Sequence, residues 1–231
     1  MKKLSAVILS IICILSFAGC AQEEKEHIPN ELPLSEEKIN QILADNGLPF
    51  EAGVQTVLTH TIVVNPQNPE TKVFDSYSHI LYDKDENYGQ AGIQFISNDI
   101  GNKVSFTYML AIPGTTPATR YNRNENAAYQ AVTTTCDLYG GFENKDKLAD
   151  KIEKAIKKDK VRRYEDRKIW YEKYENIHVL VTFTEIANGA ETDLNFFNIM
   201  IRDDSFFQVD LENSIASGQI WAKELYDEVY N

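Results

Sequence analysis

The sequence predicts an α+β fold: antiparallel sheets built from two hairpin meanders, with helices packed on one face. Three observations carry this. Alternating apolar runs come in pairs separated by turn residues, the runs are grouped rather than interleaved with helices, and stretches of helical spacing flank each group. A parallel α/β sheet would instead alternate strand and helix along the chain.

The elements follow in order. Ser35 offers an N-cap, Glu36 and Glu37 fill the first turn, and Ile39, Ile42 and Leu43 keep helical spacing until Asn46-Gly47. From Val54 to Ile112 the period becomes two. Val54, Leu58, Ile62 and Val64 share a strand face, N-P-Q-N-P at 65–69 turns the chain, and Val73, Tyr77 and Leu81 share a face of the return. Ile93 and Phe95 precede the turn at 98–102, and Val104, Phe106, Tyr108, Leu110 and Ile112 follow it. Beyond P-G-T-T-P at 113–117, helices are predicted over 124–139, ending at Gly140-Gly141, and over 145–158, with Leu148, Ile152 and Ile156 in register. Strands are predicted at 161–172, 177–186, 194–202 and, on a weaker pattern, 206–211, before a closing helix over 215–229. Two arrangements satisfy this order: a tandem pair of helix-on-sheet units with a boundary near 113–122, or one extended sheet.

The first twenty residues read differently. Lys2 and Lys3 precede an apolar run from Leu4 to Ala18, closed by Gly19 and Cys20. A charged start, a run of this length and small residues before a cut site make a secretory signal over 1–19. The ending Phe17-Ala18-Gly19-Cys20 resembles the lipobox of bacterial lipoproteins, with Phe17 in place of the usual aliphatic residue. The resemblance covers these twenty residues alone. It implies diacylglycerol on the Cys20 sulfur (a palmitate-type lipidation) and a mature chain anchored outside the cytoplasm, on the cell membrane or outer membrane. Residues 20–34, with two prolines and no periodicity, read as lipidated Cys and flexible linker, leaving 35–231 as the ectodomain.

Composition bounds the function. Hydrophobic content of 43% with 25% charged residues is globular usage, which excludes a disordered polar chain. The net charge is −12, and removing Lys2 and Lys3 with the signal makes it −14. Nucleic-acid binders cluster Lys and Arg against phosphates, so no nucleic-acid partner is expected. With Cys13 in the signal and Cys20 lipidated, Cys136 is the remaining thiol, on a helical stripe with Ala128 and Val132, and reads as a small core hydrophobe.

Four features bear on chemistry. D-K-D-E-N-Y-G at 83–89 begins like a calcium loop through Asp83, Asp85 and Asn87, but Tyr88 and Gln94 stand where such a loop needs Gly and a bidentate Glu. His60 and His79 face each other if the first hairpin turns near Pro69–Glu70, yet zinc needs three or four ligands; no metal is expected. Nine Lys or Arg against four acids run from Lys145 to Arg163, an asymmetry that would steer an anionic partner and that a solvated helix face also explains. Finally, Tyr164, Trp170 and Tyr174 fall on one face of an extended strand, where aromatics beside charges grip peptides or sugar rings; a half-buried strand with cross-strand aromatic contacts accounts for them as well.

The sequence holds no G-x-S-x-G, H-E-x-x-H, Walker loop or G-x-G-x-x-G, and implies no cofactor. The reading is an envelope lipoprotein acting as a non-catalytic binding or interaction module. Its membrane contact is the N-terminal lipid, and its candidate contacts to a protein or anionic envelope partner are Tyr164, Trp170, Tyr174, Lys157, Lys158, Arg162 and Arg163. The alternatives are an extracytoplasmic hydrolase working through carboxylates that the sequence does not single out, and a binder of an envelope polymer or small ligand.

Overall fold

The computed structural model describes residues 29–63, 71–83, 90–111, 127–164, 167–174, 176–186 and 194–231. The α+β class holds, on a single eight-stranded antiparallel sheet in the order β1-β2-β3-β4-β8-β7-β6-β5. The strands are β1 (Phe50–Val63), β2 (Thr71–Asp83), β3 (Gln90–Asn98), β4 (Gly101–Ala111), β5 (Arg162–Arg163), β6 (Lys168–Tyr174), β7 (Ile177–Ile186) and β8 (Leu194–Asp203). Each half of the chain supplies a four-stranded meander, and pairing of β4 with β8 fuses the two into one sheet. Among the two arrangements left open by the sequence, the continuous sheet is the one adopted.

Helices cover both faces rather than one. On the first face lie α1 (Glu36–Asp45), α2 (Ala127–Tyr139) and α3 (Lys145–Lys157), whose Ile39, Leu43, Val132, Cys136, Leu148 and Ile152 pack on Phe95, Phe106, Val181 and Ile199. On the other lie α4 (Asp204–Ala216) and α5 (Ile220–Tyr230). Strand alternation makes this necessary: Trp170 joins the first core, while its neighbours Ile169 and Tyr171 point the opposite way into a second cluster with Phe207, Leu211, Ala222 and Leu225. A third cluster sets Phe206 and Val209 of α4 on Phe74 and Ile96.

Local signals explain the element ends. Ser35 Oγ accepts from Lys38 N at 3.2 Å, as an N-cap should, and Gly47 takes the left-handed conformation that ends α1. Gly140 (φ 93°) ends α2, and Gly218 (φ 82°) separates α4 from α5, so the closing helix starts at 220 rather than 215. The strand predicted at 206–211 is helical instead. Phe207 and Leu211 are four apart and Phe206 and Val209 three, so α4 buries two sides, one in each second-face cluster. The strand predicted over 161–172 is two strands, folded back where Tyr164 N donates to Arg167 O at 2.8 Å.

Two further corrections concern the N-terminal half. The linker read over 20–34 is partly folded: Asn30 Nδ2 donates to Asp137 O and Leu138 O at 2.9 and 3.0 Å, Asn30 N donates to Tyr139 O, and Leu32 and Leu34 pack on the first core. Asn30 thereby satisfies the orphan carbonyls at the end of α2. The first hairpin pairs His60 with Phe74 and His79 with Gln55, five residues off the register that would set the two imidazoles opposite each other. An odd shift moves them to opposite faces. His60 stacks on Phe74, while His79 is buried against Phe95 with Nδ1 3.0 Å from Gly53 O.

Candidate functional site, a cationic cavity beneath the C-terminal helices

The middle of the second face is polar where a covered sheet is usually apolar. Cross-strand register puts Lys103 opposite Arg202, Ser105 opposite Met200 and Thr107 opposite Asn198, all on that face, with Thr182 beside Asn198 on β7 and Thr184 beside Phe196. α4 and α5 bridge this strip, because α4 packs its apolar residues into the clusters on either side of it. The strip and the helices border a half-open cavity of about 370 Å³, lined among others by Lys103, Thr107, Arg202, Asp210, Ser214 and Trp221. That volume lies at the small end of ligand pockets.

Lys103 and Arg202 stand at one end, Thr184 and Phe196 at the other. The Arg202 side chain is 5% exposed, so its charge is withdrawn from water. Asp210, reaching down from α4, is the nearest carboxylate: its Oδ2 is 2.7 Å from Arg202 Nε and 3.4 Å from Lys103 Nζ. Yet Arg202 Nε and Asp210 Oδ2 are buried without an aligned hydrogen bond, so the ion pair is made off the N–H axis. Arg202 Nη2 rests on Met200 Sδ, a weak acceptor. Phe206 and Phe207 lie against the two cations, Lys103 Nζ 5.8 Å from the first ring centroid and Arg202 Cζ 5.7 Å from the second. Burial pushes the pKa of both cations down, and Asp210 opposes it. At the cavity edge Arg167 stacks on Trp221, 5.7 Å from guanidinium carbon to ring centroid.

One buried and one largely covered cation sharing one imperfectly placed carboxylate leave a local excess of positive charge on the cavity wall. Such a site favours an oxygen-rich anion.

The residues singled out from sequence do not converge. Trp170 is buried in the first core, and Tyr174 stacks on Phe142 at 5.3 Å on the same face. Tyr164 precedes β6, packs with the second-face cluster and donates to Glu224 Oε2 at 2.8 Å. The one-face aromatic strip is thus divided by the β5–β6 turn. Arg162 pairs with Glu228 at 2.5 Å, Arg163 with Asp159 at 2.6 Å and Lys157 with Glu153 at 2.7 Å, while Lys158 is exposed at the α3 C-terminus. With Lys145 on Asp137 and Lys151 on Glu172, five of the nine basic residues meet carboxylates, near or distant in sequence, as a solvated helix face would. Asp83 closes β2, Gln94 Nε2 donates to Ser76 Oγ within the sheet, and Asp85, Asn87 and Cys20 lie outside the described residues. No group of three or more His, Cys, Asp or Glu suited to a metal occurs among the described residues.

Sequence reasoning passed over Lys103, Arg202 and Asp210. The signal available was Arg202 itself, an alternate-position cation beside the apolar Phe197, Ile199 and Ile201 of β8. Its partner Lys103 is a hundred residues earlier, joined only by the β4–β8 pairing. No helix among the described residues is long and apolar enough to cross a membrane. Comparison with protein-family models, curated proteins and solved structures finds no match for this chain.

Proposed function

We propose that the chain is a membrane-anchored lipoprotein of the cell envelope whose body is a non-catalytic binding module, with the second-face cavity as its ligand site. The observation that carries the binding half is Arg202: a buried guanidinium on the cavity wall whose Nε has no aligned acceptor. The anchoring half rests on Phe17-Ala18-Gly19-Cys20 behind the apolar run. An acidic body on a lipid tether is held off anionic headgroups, which leaves its surfaces free to meet solutes of the envelope.

Two experiments test the halves separately. Metabolic labelling with a palmitate analogue is expected to tag the wild type and not Cys20→Ala; equal labelling would remove the lipid anchor. Native mass spectrometry of the full-length protein in detergent, equilibrated with a small-molecule extract of cell envelopes, is expected to show one-to-one adducts lost in Ser214→Phe, which fills the cavity without touching its charges. Adducts indifferent to that substitution would remove the cavity as the ligand site.

A further inference from the structure

We infer that the cavity binds a small organic oxyanion, a carboxylate or phosphate monoester, with its charged head between Lys103 and Arg202; this rests on the cavity being the ligand site. Charge comes first. The two cations and Asp210 sum to a net positive centre at one end of the cavity, and no other carboxylate lines it. Burying an unmatched charge is strongly unfavourable, and one further negative charge neutralises the group.

Geometry adds to charge. Arg202 and Lys103 are directly opposed on adjacent strands, so their heads can converge on one acceptor group from two sides. Arg202 Nε lacks an aligned partner and Nη2 has only a thioether, so an oxyanion would supply the fork of acceptors that a guanidinium matches best. The remaining wall offers neutral donors and acceptors in Thr107, Thr182, Asn198 and Ser214, and its one further charge is Arg167, held at the cavity edge against Trp221. That suits a ligand with one anionic end and a polar, uncharged remainder. Size then bounds it: about 370 Å³ lies at the small end of ligand pockets and suits a metabolite-sized molecule.

Aromatic packing fixes the heads before any ligand arrives. Phe206 and Phe207 are adjacent on α4 and take one cation each, so the helix that carries Asp210 also holds both cations in place. A site held this way loses little side-chain entropy on binding.

The test is a titration of the full-length protein in detergent with inorganic phosphate and, separately, benzoate, against potassium chloride at matched ionic strength. Thermal midpoint and the fluorescence of Trp221, with Trp170→Phe removing the other indole, are the readouts. Millimolar phosphate or benzoate is expected to raise the midpoint and change the fluorescence where chloride does not. Lys103→Gln and Arg202→Gln are each expected to weaken binding about tenfold or more, as loss of a hydrogen bond to a charged group does. Asp210→Asn is expected to tighten it. If Arg202→Gln fails to fold, Lys103→Gln and Asp210→Asn still shift affinity in opposite directions. A response to phosphate alone identifies a phosphate ligand, and one to benzoate alone a carboxylate. No response to either anion in the folded wild type, or identical affinity in the charge variants, overturns the inference, and envelope-extract adducts sensitive to Ser214→Phe would then point to an uncharged ligand in the same cavity.

Discussion

His178 Nε2 lies 2.6 Å from Asp204 Oδ1, tying β7 to the first turn of the helix that follows β8. On the other side of the ring, Tyr171 Oη lies 2.9 Å from Nδ1, and Phe207 stacks at 4.2 Å between centroids. A neutral imidazole protonated at Nε2 serves both neighbours, donating to the carboxylate and accepting from the phenol. Burial holds the His178 pKa below its ordinary value; Asp204 pulls upward, and Lys173 and Arg202 add to the lowering.

The sign of the resulting pH effect is fixed by that direction. The unfolded chain protonates His178 near about pH 6.5, above the folded value, so it binds more protons as pH falls. The contribution of neutral His178 is complete above about pH 6.5 and is lost as pH drops toward the folded pKa. Urea midpoints measured from neutral pH downward are expected to fall more steeply in the wild type than in His178→Gln. Parallel curves would show that His178 titrates alike in both states.

Tyr171 meets the same network from β6, and its phenol is pushed up to about 12, first by burial and then by Glu228 and Asp204. It is a hydrogen-bond donor at any physiological pH. Tyr171→Phe is expected to lower stability by about 1 kcal/mol, the net worth of one hydrogen bond, with near-ultraviolet circular dichroism otherwise preserved.

The core and the outer ribbon should respond very differently to substitution. Phe106 is fully buried in β4, while Val57 of the edge strand β1 is 48% exposed. Phe106→Ala is expected to cost about 3–5 kcal/mol, and Val57→Ser to stay within about 0.5 kcal/mol. Denaturant midpoints at unchanged slope provide the comparison.

Cys136 is fully buried in α2, and burial pushes its thiol pKa well up. In the folded protein it is expected to resist thiol-specific reagents that modify it at once in denaturant. Modification at equal rates in both states would require the helix to open readily.

Asn30 has three hydrogen bonds to the end of α2. Removing its amide in Asn30→Ala is expected to cost about 1 kcal/mol, the scale of a lost helix cap. Amide exchange in 29–34 should accelerate far more than exchange in β7.

Much of the fold was legible because single-period runs are local. β7 was predicted over its observed span, and α1 and α3 to within a residue or so, since Ser35, Gly47 and the Leu148-Ile152-Ile156 stripe are all read within one element. α4 escaped because Phe206-Phe207 and Val209 with Leu211 satisfy alternation and helical spacing together, and the two-cluster packing that decides between them is tertiary. The reversal read at N-P-Q-N-P, 65–69, agrees with the observed register, which pairs Val63 with Thr71; the facing of His60 and His79 needed a turn two to three residues later, near Pro69–Glu70, and is not made.

The candidate site was hidden by distance along the chain. Arg202 and Asp210 sit eight residues apart in the second half and Lys103 in the first, and only the β4–β8 seam brings Lys103 to the other two. The aromatic strip was legible as a composition, but its three rings do not share one face, because the chain folds back between Tyr164 and Arg167 and sends Tyr164 and Trp170 to opposite faces.

The docking of Asn30 onto the end of α2 also sets a leash. Under the proposed lipidation, ten residue steps separate Cys20 from Asn30, the first residue bonded to the body among the described ones, a reach of at most about 35 Å, against about 50 Å if the body began at Ser35. The domain would then ride close to the bilayer with the C-terminal end of α2 nearest the anchor, and the range of orientations it can sample would narrow accordingly.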